Sequence, residues 1–390
     1  MTKDEYDFQF ADPALKARVV RAKRAKRQKT LSETPAPSPD AVRPPYQIAL
    51  FDADALAARL GTSPGYHVDP SEHVADDNGL DRQVKLWARL HNDPRGPWRN
   101  QIRPDVAMIE RVAALVVTGP HFRNVIGWIV RAMQLALICG RPLRLDPCCL
   151  LGDAGIGKTF FATELSRALG VRSELLAINV MTDRGSMLTG LTPVWRGSRP
   201  GRVAQALIDG DSAAPLFILD EIDKPSPINP AEDPLQALHS LLERQNAQAF
   251  TDEFLEFPIR ADEILWVTTA NSLSPMPPSL VDRMIVFTID PGEADRLTIQ
   301  ESIFDRANAE VADSTFIRPA QSLFRLARDY NARTMTRLWP AAMAIACADG
   351  RRELRQRDIT DAAALVSGQG QTKRSIGFMA AQRIADVGHR

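Results

Sequence analysis

The chain has 390 residues, with Lys plus Arg (48) equal to Asp plus Glu (48) and 44% hydrophobic residues. That content suffices for packed cores in one to three domains, and the balanced charge excludes a chain drawn to nucleic acid or membrane by its overall charge. No uninterrupted apolar run reaches the ~18 residues of a membrane-spanning helix, and the charged N-terminus lacks a signal-peptide stretch. Cys139, Cys148, Cys149 and Cys347 each sit in an apolar run without zinc-site spacing. The expectation is reduced core thiols in a soluble cytoplasmic protein with no membrane partner.

Residues 1–47 read as a basic tail and a Pro-rich linker. Lys16, Arg18, Arg21, Lys23, Arg24, Lys26, Arg27 and Lys29 crowd the segment 16–29, and SETPAPSPDAVRPP follows. The Pro-rich stretch cannot hold a helix. The basic run is either a solvated tail or a contact for nucleic acid or an acidic partner.

Residues 48–118 read as a mostly helical region. FDADALAARLG has helix boundary signals at both ends, and Trp87 and Leu90 stand three apart on an apolar face. His67, His73 and His91 lack metal-ligand spacing. From 119 to 290 short apolar runs alternate with helical stretches: CCLLG, ELLAINV, PLFILDE, EILWVTTAN and RMIVFTI. Near-continuous apolar runs are the mark of buried parallel strands, and the alternation predicts a doubly wound α/β sheet. Residues 291–368 read as a small domain of helices alone, and 369–390 as a polar tail.

Within the α/β region, LLGDAGIGKTFFATELSRALG follows an apolar strand and opens an amphipathic helix. Gly152, Gly157, Lys158 and Thr159 have P-loop spacing, with Asp153, Ala154, Gly155, Ile156 and Phe160 completing the stretch that would contact a nucleotide. Its backbone N–H groups and helix N-terminus suit phosphate, with Lys158 reaching the β- and γ-phosphates of ATP and Thr159 a Mg2+ ligand. PLFILDEIDK puts two carboxylates at a strand end, where burial is costly unless the charges serve chemistry. Asp220 would hold the Mg2+ through water and Glu221 would polarise the attacking water. Asn271 ends the next apolar strand, where its amide can orient a water beside the γ-phosphate.

GDAGIGKT, PLFILDEIDK, DPLQALHSLLE, FTDEFLEF, TTANS and PPSLVDRMIVFTI resemble, in order and spacing, the ATPase module of Lon-type proteases, over roughly residues 120–365. The resemblance implies an AAA+ P-loop NTPase with a helical lid, working as a homo-oligomeric ring, usually a hexamer. It implies Asn271 as a sensor, Arg283 as an arginine finger reaching a neighbour's γ-phosphate, and Arg333 as the second sensor. Arg337, four residues on, is the competing candidate. LTGLTPVWRGSRPGRV resembles the pore-lining loop, with Trp195 as the aromatic grip on a threaded polypeptide. The alternative for Trp195 is a side chain packed under a surface loop. Arg196 stands where the family has an aliphatic residue, and PSPINPAE (225–232) would be a second pore loop. About 25 residues follow the helical domain, too few for the family's Ser–Lys protease domain.

Three functions follow as expectations. The first is an ATP-hydrolysing ring that remodels, unfolds or disassembles a protein substrate without a protease of its own, with a separate peptidase or effector as a partner to be sought. The second is a nucleic-acid-dependent ATPase or loader, resting on the basic segment 16–29 and on Arg196, Arg199 and Arg202. The third is a low-turnover nucleotide-gated switch, against which Glu221, Asn271 and Arg283 argue.

Overall fold

The computed structural model describes residues 46–62, 79–180, 185–195, 197–224, 235–311 and 316–366. The basic segment 16–29, His67, His73, Arg196 and the stretch 225–232 lie outside the described residues. The chain divides into two compact units at Asp290/Pro291.

The first unit opens with β1 (Gln47–Ala49), α1 (Ala53–Thr62), α2 (Gly79–His91) and β2 (Trp98–Asn100). Asp52 caps α1, accepting from the amides of Asp54 at 2.9 Å and Ala55 at 3.1 Å, and the helix runs one residue past the expected glycine stop. β1 and β2 form an antiparallel pair that the hydrophobic pattern does not announce, because three-residue strands carry too little periodicity. There follow α3 (Val106–Thr118), capped by Asp105, and α4 (Arg123–Cys139), which ends on left-handed Gly140.

The sheet is built from β3 (Cys148–Leu151), β4 (Ser173–Ala177), β5 (Leu216–Asp220), β6 (Leu265–Ala270) and β7 (Ile285–Thr288). Between them stand α5 (Lys158–Leu169) and α6 (Arg202–Asp209). All five strands fall within the apolar runs and pair in parallel, in the order β4-β5-β6-β3-β7. Central β5 and β6 are buried nearly end to end, whereas edge strand β4 alternates, as burial on two faces or one requires.

Side-chain alternation divides each central strand between two cores. Cys148, Leu150, Leu216 and Ile218 join the core covered by α3, α4 and α5. Cys149, Phe217, Leu219 and Trp266 join the opposite core, which receives Leu56 of α1, Trp87 and Leu90 of α2, and Val203 and Leu207 of α6. Residues 46–118 therefore contribute to both cores of this unit. Cys148 and Cys149 are core thiols, but Cys139 and Cys347 are exposed, which corrects the expectation for those two. An apolar residue run does not fix which face of a helix a cysteine occupies. Pro120–Cys139 is long and apolar enough to cross a membrane by length and composition. Its Val125, Ile126, Ile129, Val130, Met133 and Ala136 pack instead into the sheet core.

The second unit holds α7 (Glu293–Ala309), α8 (Gln321–Leu326), α9 (Ala332–Ala348) and α10 (Gln356–Val366), with no strand among its described residues. Phe304, Phe324 and Trp339 meet edge to face, with ring centroids 5.3–5.8 Å apart. Asn331 caps α9 by accepting from the Thr334 amide at 2.9 Å. Arg333 and Arg337 are both exposed on α9.

Candidate functional site

The site lies at the carboxyl ends of β3, β5 and β6, where a parallel sheet gathers loops from adjacent strands. Gly152 leaves β3 so close to its neighbour that a Cβ there would lie 2.3 Å from the Ile289 carbonyl oxygen. Gly157, with φ +95°, is the N-cap of α5 in the left-handed region that favours glycine. Between them the loop curls over Lys158, which is only 7% exposed.

Lys158 Nζ donates to the carbonyls of Gly152 at 2.6 Å and Asp153 at 2.9 Å, and to Asn271 Oδ1 at 3.0 Å. All three acceptors are neutral. Burial pulls its pKa below the ordinary lysine value, with the Asp220 and Asp223 charges opposing the shift. A desolvated ammonium held only by neutral oxygens fits an incoming anion. Thr159 Oγ1 donates to Asp220 Oδ1 at 2.6 Å, and Thr269 Oγ1 donates to the same oxygen at 2.6 Å. This hydroxyl and carboxylate pair is the oxygen donor set that Mg2+ takes alongside nucleotide phosphates. Among the described residues no cluster of three or more His, Cys, Asp or Glu could hold a metal unaided.

Glu221 has a left-handed backbone, φ +55°, unusual for a non-glycine residue. Its amide donates to Thr269 Oγ1 at 3.0 Å. Its carboxylate is engaged at both oxygens: Oε2 accepts from Asn179 Nδ2 at 2.7 Å and Oε1 from Lys224 Nζ at 2.7 Å. Asp223 Oδ2 accepts from the amides of Asn271 at 3.0 Å and Ser272 at 3.1 Å, tying the end of β6 to the turn after β5. His121 Nε2 lies 2.9 Å from the Ile156 carbonyl oxygen, against the glycine-rich loop. Its ring meets Phe122 at a tilt, with centroids 4.1 Å apart, and Phe122 stacks on Phe161 of α5.

The structure thus brings together Lys158, Thr159, Asp220, Glu221 and Asn271. Asp153 and Ala154 of the loop and Phe160 in the first turn of α5 are exposed, while Gly155 and Ile156 are half-buried. Asn179, His121, Asp223, Lys224 and Thr269 were not singled out by the sequence. The only signal for Asn179 is a polar residue interrupting the end of an apolar run, ELLAINV.

Arg283 stands apart from this cluster. Ile285 pairs with Cys148, the first residue of β3, whereas the glycine-rich loop leaves the other end. Arg283 lies in the turn before Ile285, so the four-residue length of β3, roughly 13 Å at ~3.3 Å per residue, separates its end of the sheet from the loop. There it donates to the Ser279 carbonyl and pairs with Glu243 at 3.2 Å, lining a pocket of about 290 Å³ with Leu145, Asp146 and Trp266. Trp195 is 68% exposed and Val194 is 73% exposed, so the packed alternative for Trp195 does not hold. Its backbone sits in a tight turn that commits the indole outward, with Trp195 N donating to Thr192 O and Ser198 N to Trp195 O.

Residues 148–290 match the family model described as ATPase family associated with various cellular activities, AAA. They form an AAA module. Over 195 residues the chain is 30% identical to a Lon protease of Chloroflexus aggregans, covering 50% of this chain and 23% of that protein. Over 144 residues it is 39% identical to a Lon protease of Halothermothrix orenii, covering 37% and 18% respectively. The chain spans about a quarter or less of the length of these curated relatives. The AAA module resembles theirs. A solved structure titled as the RuvB Holliday junction branch migration motor of Thermotoga maritima is similar at 18% identity and a TM-score of 0.43, covering 62% of this chain and 68% of that one.

Proposed function

We propose that this AAA module binds ATP with Mg2+ and hydrolyses it, and that the chain works in the cytoplasm as a homo-oligomeric, hexameric ring that remodels protein substrates. The observation that carries the hydrolytic reading is the meeting of two bonded groups at the carboxyl ends of β3, β5 and β6: Lys158 with Asn271, and Thr159 with Asp220, which shares Thr269 with the Glu221 amide, all at 2.6–3.0 Å. In this reading Lys158 binds the β- and γ-phosphates, Thr159 and Asp220 hold the metal, Glu221 takes the proton from the attacking water, and Asn271 positions that water. Arg283 stands at the end of the sheet opposite the glycine-rich loop and is tied there to Glu243, which supports a role at a neighbour's phosphate. Arg333 is proposed as the second sensor.

A polypeptide is favoured over nucleic acid as the substrate because the loop tip presents Val194 and Trp195, two large apolar side chains exposed together. Such a tip suits apolar side chains of an extended chain. Steady-state ATPase measured with an unfolded protein or with single-stranded DNA tests this. Stimulation by the unfolded protein is expected, and stimulation by DNA alone would overturn the substrate assignment.

A further inference from the structure

The loop that carries Val194 and Trp195 does not stand free on the sheet. Its two limbs are joined by a bond from the Leu191 amide to the Arg199 carbonyl at 3.1 Å. Its inner side, Pro193 and Ser198, is buried, and Ser198 is only 1% exposed. The group that buries it is the first turn of α2. Gly79 approaches so closely that a Cβ there would lie 2.0 Å from the Pro193 oxygen and 2.3 Å from Ser198 Oγ. One turn on, Arg82 Nη2 donates to Ser198 Oγ at 3.4 Å.

The same helix grips a second segment. Gln83 Nε2 donates to the Phe254 carbonyl at 2.7 Å, and Trp87 Nε1 donates to the Leu255 carbonyl at 3.1 Å. That segment in turn holds the far end of the loop. Asp252 Oδ2 accepts from the Gly201 amide at 2.8 Å, while Oδ1 accepts from the amides of Phe254 at 2.9 Å and Leu255 at 3.0 Å. The contacts close a circuit from α2 to the loop, from the loop to Asp252, and from the 252–255 turn back to α2. None of these residues belongs to the phosphate network.

We infer that α2 is a brace for the Val194–Trp195 tip: Gly79 and Gln83 are positioning residues that hold an apolar contact element ready for its polypeptide. The physical reason is entropic. A tip held in place before binding loses less freedom on contact than a free loop would, and it transmits displacement of its base rather than absorbing it. Gly79 is required by approach, since alanine is otherwise the better helix former. This inference rests on the proposed role of Trp195 as the substrate contact, but the brace itself is tested without substrate.

The test is hydrogen exchange by mass spectrometry on the full chain, comparing wild type with Gly79→Ala and with Gln83→Met. Gln83→Met removes the bond to Phe254 without adding bulk, so it reports even if Gly79→Ala fails to fold. Amides of residues 190–201 are expected to exchange about tenfold faster or more in the variants, with those of 152–159 unchanged. In parallel, the concentration of a reduced, carboxymethylated unfolded protein giving half-maximal ATPase stimulation is expected to rise about tenfold. Basal turnover should stay within about twofold. Wild-type loop exchange in both variants overturns the brace, whatever the ATPase does. A faster loop with wild-type stimulation leaves the brace standing and overturns the reading of Trp195.

Discussion

Asn179 Nδ2 donates to Glu221 Oε2 at 2.7 Å, from the single turn that follows edge strand β4 across to the residue that follows β5. Lys224 occupies the other carboxylate oxygen at 2.7 Å. Donors on both oxygens fix the position of this side chain, so the carboxylate turns toward an attacking water only when one bond breaks. The pair therefore restrains Glu221 until one donor leaves.

Asn179→Ala removes one of the two donors. Basal ATPase of the variant is expected to rise about twofold to tenfold, the factor by which losing one bond of about 0.5–1.5 kcal/mol raises the fraction of released carboxylate, with nucleotide affinity unchanged. Steady-state turnover checks this. A fall to a tenth of wild type would mean that the amide orients Glu221 rather than restrains it.

The separation of Arg283 from the phosphate site gives a complementation test. A Glu221→Gln subunit keeps Arg283, and an Arg283→Ala subunit keeps an intact Glu221. Each homogeneous preparation is expected to be nearly inactive, and mixing them is expected to restore measurable ATPase, because a neighbour supplies the missing group. Mixtures as inactive as either parent, under conditions where subunits exchange, would remove Arg283 from the site.

Trp195→Ala takes away an exposed indole. Thermal stability should change by no more than about 0.5 kcal/mol, the usual range for a surface site, and basal ATPase should persist. Stimulation by unfolded protein should be lost. A large fall in melting temperature would show that the indole is packed in the assembled protein.

Asp252 carries a pH signature. Burial raises its carboxyl from 3.8 to about 6, against the pull of three backbone amides. Its folded pKa lies above its unfolded one, so proton uptake favours the fold. Its ionisation costs stability fully above pH 6, and that cost fades as pH falls toward 4. Between pH 7 and pH 5 this one group should add about 1 kcal/mol to the unfolding free energy. Asp93 is held down to about 2 by hydrogen bonding to Arg95, against the opposing effect of burial, so its stabilising contribution is lost only below that window. Denaturant titrations of wild type and Asp252→Asn at both pH values should show the gain in wild type alone.

What the sequence made legible is what a single strand and its following turn carry. Gly152 to Thr159 and Asp220–Glu221 are contiguous motifs, and Asn271 closes an apolar run, so each was readable in place. The parallel sheet was readable because β3, β5 and β6 are buried on both faces and spelled in near-continuous apolar residues, broken inside β6 only by Thr268 and Thr269. Asn179 and Asp223 were not readable, because their partners lie 42 and 48 residues away in sequence and meet only through strand order. The part played by Gly79 was hidden for the same reason. A glycine at a helix start carries no mark of the Pro193 carbonyl that excludes a side chain from it. The exposure of Trp195 depended on a turn that LTPVWRGS does not specify uniquely.

The central claim is that the network around Glu221 hydrolyses ATP, and the full-length Glu221→Gln protein tests it most directly. Nucleotide affinity and ATPase turnover are measured side by side on the same preparation, with Mg2+ present. The amide cannot accept the proton of the attacking water, while Lys158, Thr159 and Asp220 are untouched. Wild-type affinity for ATP is expected, with turnover reduced about a hundredfold or more. Wild-type turnover in that variant would contradict the claim.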